Sequence, residues 1–235
     1  MKLSLVMPVF NEERTVAKTV NKVFQQKQVT ELVVVDDGST DGTSEILSKL
    51  KKKFGQSSRS GGKKILVFRK KNGGKGSAVQ LGLSKVSGDY VLIQDADAEY
   101  DPADIPALIK PVVDGRAEVV FGSRFLGPHS NLLFWHRVGN NFLNLLVNVL
   151  YNTTLSDMET CYKLVPTKLL RDIDICSTDF CMEPEITCKI LKKKIHIYEV
   201  PISYVGRDFS EGKKITWQHG FTAMWTIIRL RFAEN

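Results

Sequence analysis

The feature that most constrains this chain is a rhythm in its first half. Five short runs rich in Val, Ile and Leu, at 2–7, 31–36, 64–68, 90–94 and 118–122, alternate with amphipathic segments near 12–27, 41–53, 75–86 and 103–113. Continuous rather than alternating apolar runs belong to strands buried on both faces, and helical segments between them supply the cover. The pattern therefore predicts an α/β fold: βαβ units on a mostly parallel sheet flanked by helices. A stretch at 55–62, made of Gly, Ser, Gln and Arg, reads as a flexible surface loop. No repeat and no interdomain linker interrupts the 235 residues, so a single domain over 1–235 is expected, with halves at 1–125 and 126–235.

The second half has a different texture. Residues 131–151 predict a long apolar helix with a polar stripe at Arg137, Asn140, Asn141, Asn144 and Asn148, recurring every three or four positions. A strand near 161–165, a helix near 184–193 and a strand near 196–204 follow. The last element is a helix at 216–232 carrying Trp217, Phe221, Trp225, Ile228 and Phe232 at helical spacing, with Arg229 and Arg231 beside them. Its pattern allows a core-packed terminal helix or an amphipathic helix lying at a membrane interface.

Apolar residues at 43% and charged residues at 25% exclude a disordered chain. The net charge of +7 suits an anionic partner, such as nucleotide phosphates, an anionic membrane face or nucleic acid. Scattered lysines with few interleaved aromatics argue against nucleic acid. The lysine runs at 51–53 and 192–194 read as solvated helix faces. The N-terminal apolar run is too short for a signal peptide, and no uninterrupted apolar stretch is long enough to span a bilayer. Cys161, Cys176, Cys181 and Cys188 show no C-x-x-C spacing and read as thiols of a reducing compartment. A cytosolic protein is expected.

Ligands of open parallel sheets bind beyond the carboxyl ends of the strands, and polar residues gather there. The first strand runs into Asn11 and Glu12, the second into Asp36 and Asp37, the fourth into Asp95, Asp97 and Glu99, and the fifth into Ser123 and Arg124. Helix capping explains Ser39 and Asp41. Like charges crowded at one strand end repel, and a cation would offset that cost. Asp95 and Asp97, two residues apart on extended backbone, would point the same way, with Glu99 continuing the spacing. Hard carboxylate oxygens suit Mg²⁺ or Mn²⁺, which complete their shell with substrate phosphates. Asn72-Gly73-Gly74-Lys75-Gly76 opens a helix and could hold an anion through backbone N–H groups and Lys75. Equally, its glycines could serve close helix–sheet packing.

Five motifs occur in order: Met7-Pro8-Val9-Phe10-Asn11-Glu12, Val35-Asp36-Asp37-Gly38-Ser39-Thr40-Asp41, Asn72-Gly73-Gly74-Lys75-Gly76, Gln94-Asp95-Ala96-Asp97 and Gly122-Ser123-Arg124. Together they resemble glycosyltransferase family 2, and within it the dolichyl- or polyprenyl-phosphate sugar synthases. Ser156-Asp157-Met158-Glu159-Thr160-Cys161-Tyr162-Lys163 resembles the family's acidic motif and the strand after it. The segment 199–207, followed by Glu211-Gly212-Lys213-Lys214, resembles its arginine loop. Thr160-Cys161, where many relatives carry Ser or Cys before Gly, and the acidic Glu99, where relatives often carry Gln, depart from the pattern.

The resemblance implies a GT-A fold and an inverting, metal-dependent transfer of a hexose from GDP-mannose or UDP-glucose to a polyprenyl or dolichyl phosphate. It implies a nucleotide-binding set of Pro8, Glu12, Asp36, Asp37, Lys75 and Asp95, and Mg²⁺ or Mn²⁺ on Asp95, Asp97 and Glu99. Arg124, Arg137, Asn141, Arg207 and Lys213 would hold the acceptor phosphate. Asp95, Asp97, Arg124, Asp157 and Arg207 form the implied catalytic set. The nucleotide-sugar would sit in the half at 1–125 and the acceptor in the half at 126–235. The enzyme would be peripheral on the cytosolic face of a membrane, held by the helices near 131–151 and 216–232 or by a membrane partner protein.

A lipid phosphate is already largely an oxyanion at neutral pH. A saccharide hydroxyl, the alternative acceptor, needs a carboxylate base, for which Asp157, Asp179, Glu183 and Glu185 are available. A reading of another class, a catalytically silent nucleotide-sugar binder, is weakened by the presence of both Asp95 and Asp97.

Overall fold

A computed structural model describes residues 1–55, 62–207 and 217–233. Most of the stretch at 55–62, together with Lys213 and the motif around it, lies outside the described residues. Among the described residues, seven strands form one sheet: β1 (Leu3–Val9), β2 (Val29–Asp36), β3 (Lys64–Arg69), β4 (Tyr90–Ile93), β5 (Val119–Ser123), β7 (Lys163–Pro166) and β8 (Ile197–Pro201), in the order β3-β2-β1-β4-β7-β5-β8. Every pairing is parallel except those of β7, which runs antiparallel between β4 and β5. A separate parallel ribbon pairs β6 (His129–Ser130) with β9 (Tyr204–Val205). The mostly parallel sheet expected from the apolar runs is present, and β7 makes it the mixed, Rossmann-like sheet that the GT-A resemblance implies.

The central strands are buried on both faces, as their unbroken apolar sequences require. Leu5, Val6, Leu32, Val33, Val34, Leu92 and Val120 are wholly shielded from solvent. Helices α1 (Val16–Gln25), α2 (Thr43–Phe54), α3 (Lys75–Leu83) and α4 (Ile105–Val113) cover the sheet, the last entered through a short 3₁₀ turn at Pro102–Asp104. Gly82 lets α3 approach β1 closely, because a Cβ there would stand 2.4 Å from Val6 Cγ1.

The second half adds α5 (Phe134–Tyr151), a short α6 (Thr167–Asp172), α7 (Met182–Lys192) and α8 (Trp217–Phe232). Leu143, Val147, Leu155, Met158, Cys188, Ala223 and Ile227 form a smaller core beneath α5, α7 and α8. Helix α6 falls where sequence periodicity predicts none, and the strand expected over 196–204 is divided between β8 and β9.

Helix α5 also turns the last part of its polar stripe, Asn144 and Asn148, inward. Asn144 is buried, donating to the Ser156 carbonyl and accepting from Met158 N at 2.8 Å, while Asn148 exchanges hydrogen bonds with Leu155. Those amides satisfy backbone groups of the turn at 155–158, which has no ladder of its own. The apolar stripe consequently faces out, with Phe134, Trp135, Val138, Phe142, Leu145 and Val149 all exposed. Phe221 and Trp225 of α8 are exposed too. Among the described residues no helix is long and apolar enough to cross a membrane. Cys161, Cys181 and Cys188 are buried and Cys176 is exposed, all as free thiols.

Candidate active site

The site lies beyond the carboxyl ends of β1, β2 and β4. Asp36 and Asp37, adjacent at the end of β2, are separated by their partners. Asp36 accepts from Ser39 N and from the Ser44 hydroxyl. Asp37 accepts from Lys70 Nζ at 2.7 Å, from Gly73 N at 3.0 Å and from Gly74 N at 2.8 Å. The glycine-rich segment thus does hold an anion on its backbone, and that anion is the Asp37 carboxylate. At φ +91° Gly74 adopts a conformation that favours glycine, and a Cβ there would meet the Thr178 carbonyl at 2.4 Å.

Strand β4 stops at Ile93, and the chain turns at once, with Ala98 in the left-handed region at φ 64°. The turn, rather than the expected extended backbone, sets where the carboxylates point. Asp95 meets Lys75, whose ammonium lies 2.8 Å from Asp95 Oδ1 and 2.8 Å from Glu183 Oε1. Asp97 meets Arg207, with Nη2 donating to Oδ2 at 2.8 Å. Burial, with Asp95 and Glu99 close by, pushes Asp97 up to about 7 against the pull of Arg207. Lys75 is held well above its ordinary range: burial acts against its charge, and Asp95 and Glu183 outweigh it. Among the described residues no three His, Cys, Asp or Glu side chains are gathered as a complete metal cage.

Glu99 turns toward the second half of the chain. It accepts from the Tyr204 hydroxyl at 2.7 Å, from Arg207 N at 3.0 Å and from Arg207 Nε at 3.3 Å. Arg207 also reaches Glu12 through Nη1 at 3.2 Å. Glu12 in turn is fixed by Thr15 Oγ1 and, through its backbone N–H, by Thr43 Oγ1. Pro8 sits one residue before the end of β1, in register with Val35.

Arg124 and Asp157 form a buried ion pair, Nη2 to Oδ1 at 2.7 Å. The Arg124 guanidinium also lies over the Tyr204 ring at 5.3 Å. Arg137 is half-buried, stacked over Phe125 at 5.0 Å and near His129 Nε2, while Asn141 is exposed on α5. Tyr204 therefore connects Arg124 to Glu99 and so to Arg207. Sequence reasoning missed it, and also missed that Glu183 shares Lys75 with Asp95. The available signals were a tyrosine three residues before Arg207 and an acid in the first turn of α7.

Glu159 and Glu183 each carry a buried carboxylate oxygen without a partner. Burial and the neighbouring Glu183 charge push Glu159 up to about 7, against Lys163 and Arg124. Lys163 is lowered to about 8 by burial, its ammonium donating to the Met158 and Thr160 carbonyls.

The arrangement is that of a GT-A fold. The chain superposes along its whole length on 80% of glucosyl-3-phosphoglycerate synthase from Mycobacterium tuberculosis, solved with Mn²⁺, UDP and phosphoglyceric acid, with a TM-score of 0.73 at 18% identity. Residues 4–174 match the model of glycosyl transferase family 2, and the chain belongs to that family and is a glycosyltransferase. It is 28% identical over 244 residues to the UDP-N-acetylglucosamine–dolichyl-phosphate N-acetylglucosaminyltransferase of Methanococcus voltae, covering 98% of this chain and 96% of that one. It is 31% identical over 212 residues to the low-salt glycan biosynthesis hexosyltransferase Agl6 of Haloferax volcanii, covering 88% of this chain and 48% of that relative, about half its length.

Proposed function

We propose that this glycosyltransferase transfers a hexose or N-acetylhexosamine from a nucleotide-sugar to a polyprenyl or dolichyl phosphate, with inversion, at a membrane surface. The observation that carries the reading is the state of the carboxylates in the acceptor half. A hydroxyl acceptor needs a free base, and three of the four candidates are held by cations: Asp157 by Arg124, Glu183 through Oε1 by Lys75, and Glu185 by Lys189 together with Cys176 N and Ser177 N. The fourth, Asp179, is exposed and caps Cys181 N. A phosphate monoester brings its own nucleophile, since its second pKa is about 6. The Methanococcus relative, similar over nearly its full length, acts on dolichyl phosphate.

Asp95 and Asp97 fit a divalent ion of the Mg²⁺ or Mn²⁺ type, which takes one or two carboxylates and fills its shell with substrate phosphates. Burial, then the Asp95 and Glu99 charges, hold the Asp97 carboxyl above its ordinary range, and a cation bound there would offset both. Bound there, the ion would neutralise charge developing on the leaving diphosphate. Glu12, Asp37 and Asp36 shape the nucleotide end of the cleft, and Lys75 fixes the orientation of Asp95. The acceptor oxygen attacks the anomeric carbon in line as the bond to the diphosphate breaks, so the protein's work is positioning and charge neutralisation. In this reading Arg207 and Arg137 would meet the phosphates, Arg forks matching phosphate oxygens.

The outward apolar face of α5, with Phe221 and Trp225 exposed separately on α8, suits a lipid-linked acceptor, because exposed large apolar side chains gathered on one helix face mark an interaction surface. The proposal places the enzyme on the cytosolic face of its membrane.

A donor panel tests the reading. Radiolabelled GDP-mannose, UDP-glucose and UDP-N-acetylglucosamine are each offered with a polyprenyl phosphate, with Mg²⁺, Mn²⁺ or chelator. Label entering the organic phase only with metal is the expected result and names the donor. Label passing to an added saccharide, and none to lipid, would overturn it.

A further inference from the structure

The Arg207 guanidinium divides its donors among three carboxylates from distant parts of the chain. Nε faces Glu99 at 3.3 Å, Nη1 faces Glu12 at 3.2 Å and Nη2 faces Asp97 at 2.8 Å. Its side chain is 18% exposed, so this is a cleft contact and not a surface pair. Glu12 and Asp97 are residues that the proposed reaction assigns to the nucleotide and to the metal. Asp97 Oδ2 thus already faces a positive charge, the Arg207 guanidinium.

The main chain around Arg207 is pinned independently of that contact. Arg207 N donates to Glu99, Val205 N to the Glu99 carbonyl at 3.0 Å, and Gly206 N to the Ser130 carbonyl at 3.1 Å, while Asn131 Nδ2 donates to the Gly206 carbonyl. The backbone is therefore a fixed pivot, and only the flexible arginine stem has to rotate for its guanidinium to leave Asp97.

We infer that Arg207 is the resident counter-cation of Asp97, and that the metal–diphosphate of the donor displaces it and turns it toward the acceptor phosphate. The inference rests on the metal-dependent reading above and adds an order of events: one guanidinium serves the carboxylates before the donor binds and the acceptor afterwards. Two like-charged cations cannot both take the same carboxylate at full strength, so metal and Arg207 compete. Acceptor binding is then coupled to donor binding through one side chain.

The test is a direct Mn²⁺ titration of the whole chain without nucleotide, reading free Mn²⁺ by electron paramagnetic resonance. Arg207→Gln removes the competing charge and is expected to bind Mn²⁺ about tenfold tighter than wild type, the order of one like charge removed at contact range in a half-buried site. Arg207→Lys keeps a charge but cannot span three carboxylates, and its affinity is expected between the two. It also provides the comparison should the Gln variant melt early by circular dichroism. Equal affinity in all three proteins, or weaker binding in Arg207→Gln, overturns the inference. Metal-dependent lipid transfer with such an unchanged titration would overturn this inference alone. Transfer that continues in chelator would remove the metal reading and this inference with it.

Discussion

Arg124 clasps Asp157 from three directions: its Nε lies 2.8 Å from Oδ2, its Nη2 lies 2.7 Å from Oδ1, and its own backbone N–H donates to Oδ2 at 2.9 Å. Asp157 is fully buried, and its position is set in turn by Glu199, which accepts from Asp157 N and from Ser156. Breaking a buried pair from one side leaves an uncompensated charge, at a cost of about 3–5 kcal/mol. Asp157→Asn should accordingly lower the urea midpoint strongly. A general base would show the opposite signature, an unchanged midpoint with a collapsed kcat.

Asp97 is expected to behave in the contrary way. Asp97→Ala should reduce transfer by about two orders of magnitude or more, the scale of losing one charge-stabilising group at a reaction centre. Its melting temperature should move by less than about 4 °C, corresponding to roughly 1 kcal/mol for a chain of this size. Near wild-type transfer by this variant in chelator would remove Asp97 from the reaction.

The exposed stripe of α5 lets the proposed membrane contact be tested apart from folding. Trp135→Asp and Val149→Asp should each leave the unfolding free energy within about 0.5 kcal/mol, as surface substitutions do. Sedimentation with anionic vesicles should fall by about tenfold or more, since burying one large apolar side chain is worth roughly 1.5–3 kcal/mol. Leu143→Asp, on the buried side of the same helix, should unfold the protein instead. Unchanged vesicle binding in both surface variants would detach α5 from the membrane.

Glu159 gives a pH dependence with a definite sign. Its folded pKa of about 7 exceeds the unfolded value near 4.3, so the folded state binds more protons between them. Its contribution is fully present below the unfolded pKa and is lost as pH rises toward 7. Glu159→Gln should flatten that slope and be more stable than wild type at pH 8, checked by thermal melts from pH 5 to 8. A variant melting with the same slope as wild type would show that Glu159 is not the group responsible.

The parallel core was legible because β1, β2, β4 and β5 are apolar without alternation, a signal carried by each strand alone. The acids at the strand ends were legible for the same reason. Their partners were not: Asp37 is answered by Gly73 and Gly74, and Asp97 by Arg207, 110 residues away. Lys75 was visible as a cation at a helix start, but its anions proved to be Asp95 and Glu183. On α5 the spacing of Asn144 and Asn148 gave the helix and its polar stripe, and left open which side faces the core. Periodicity locates a polar stripe, while only the turn at 155–158 reveals that peptide groups are waiting to receive it.

The antiparallel strand β7 has a consequence for how the chain assembles. Strand β5 reaches the rest of the sheet only through β7, and β8 only through β5. Residues 119–123 thus emerge during synthesis about forty residues before the strand that anchors them, at 163–166. Until then the edge of β4 is open, and the first half can form only the sheet β3-β2-β1-β4. Closing that gap is a long-range event of the kind that slows folding, and an unpaired edge is a template for association with other chains. The two halves are in this sense one cooperative unit: a fragment ending near residue 125 would keep the acids of the cleft but expose an adhesive flank.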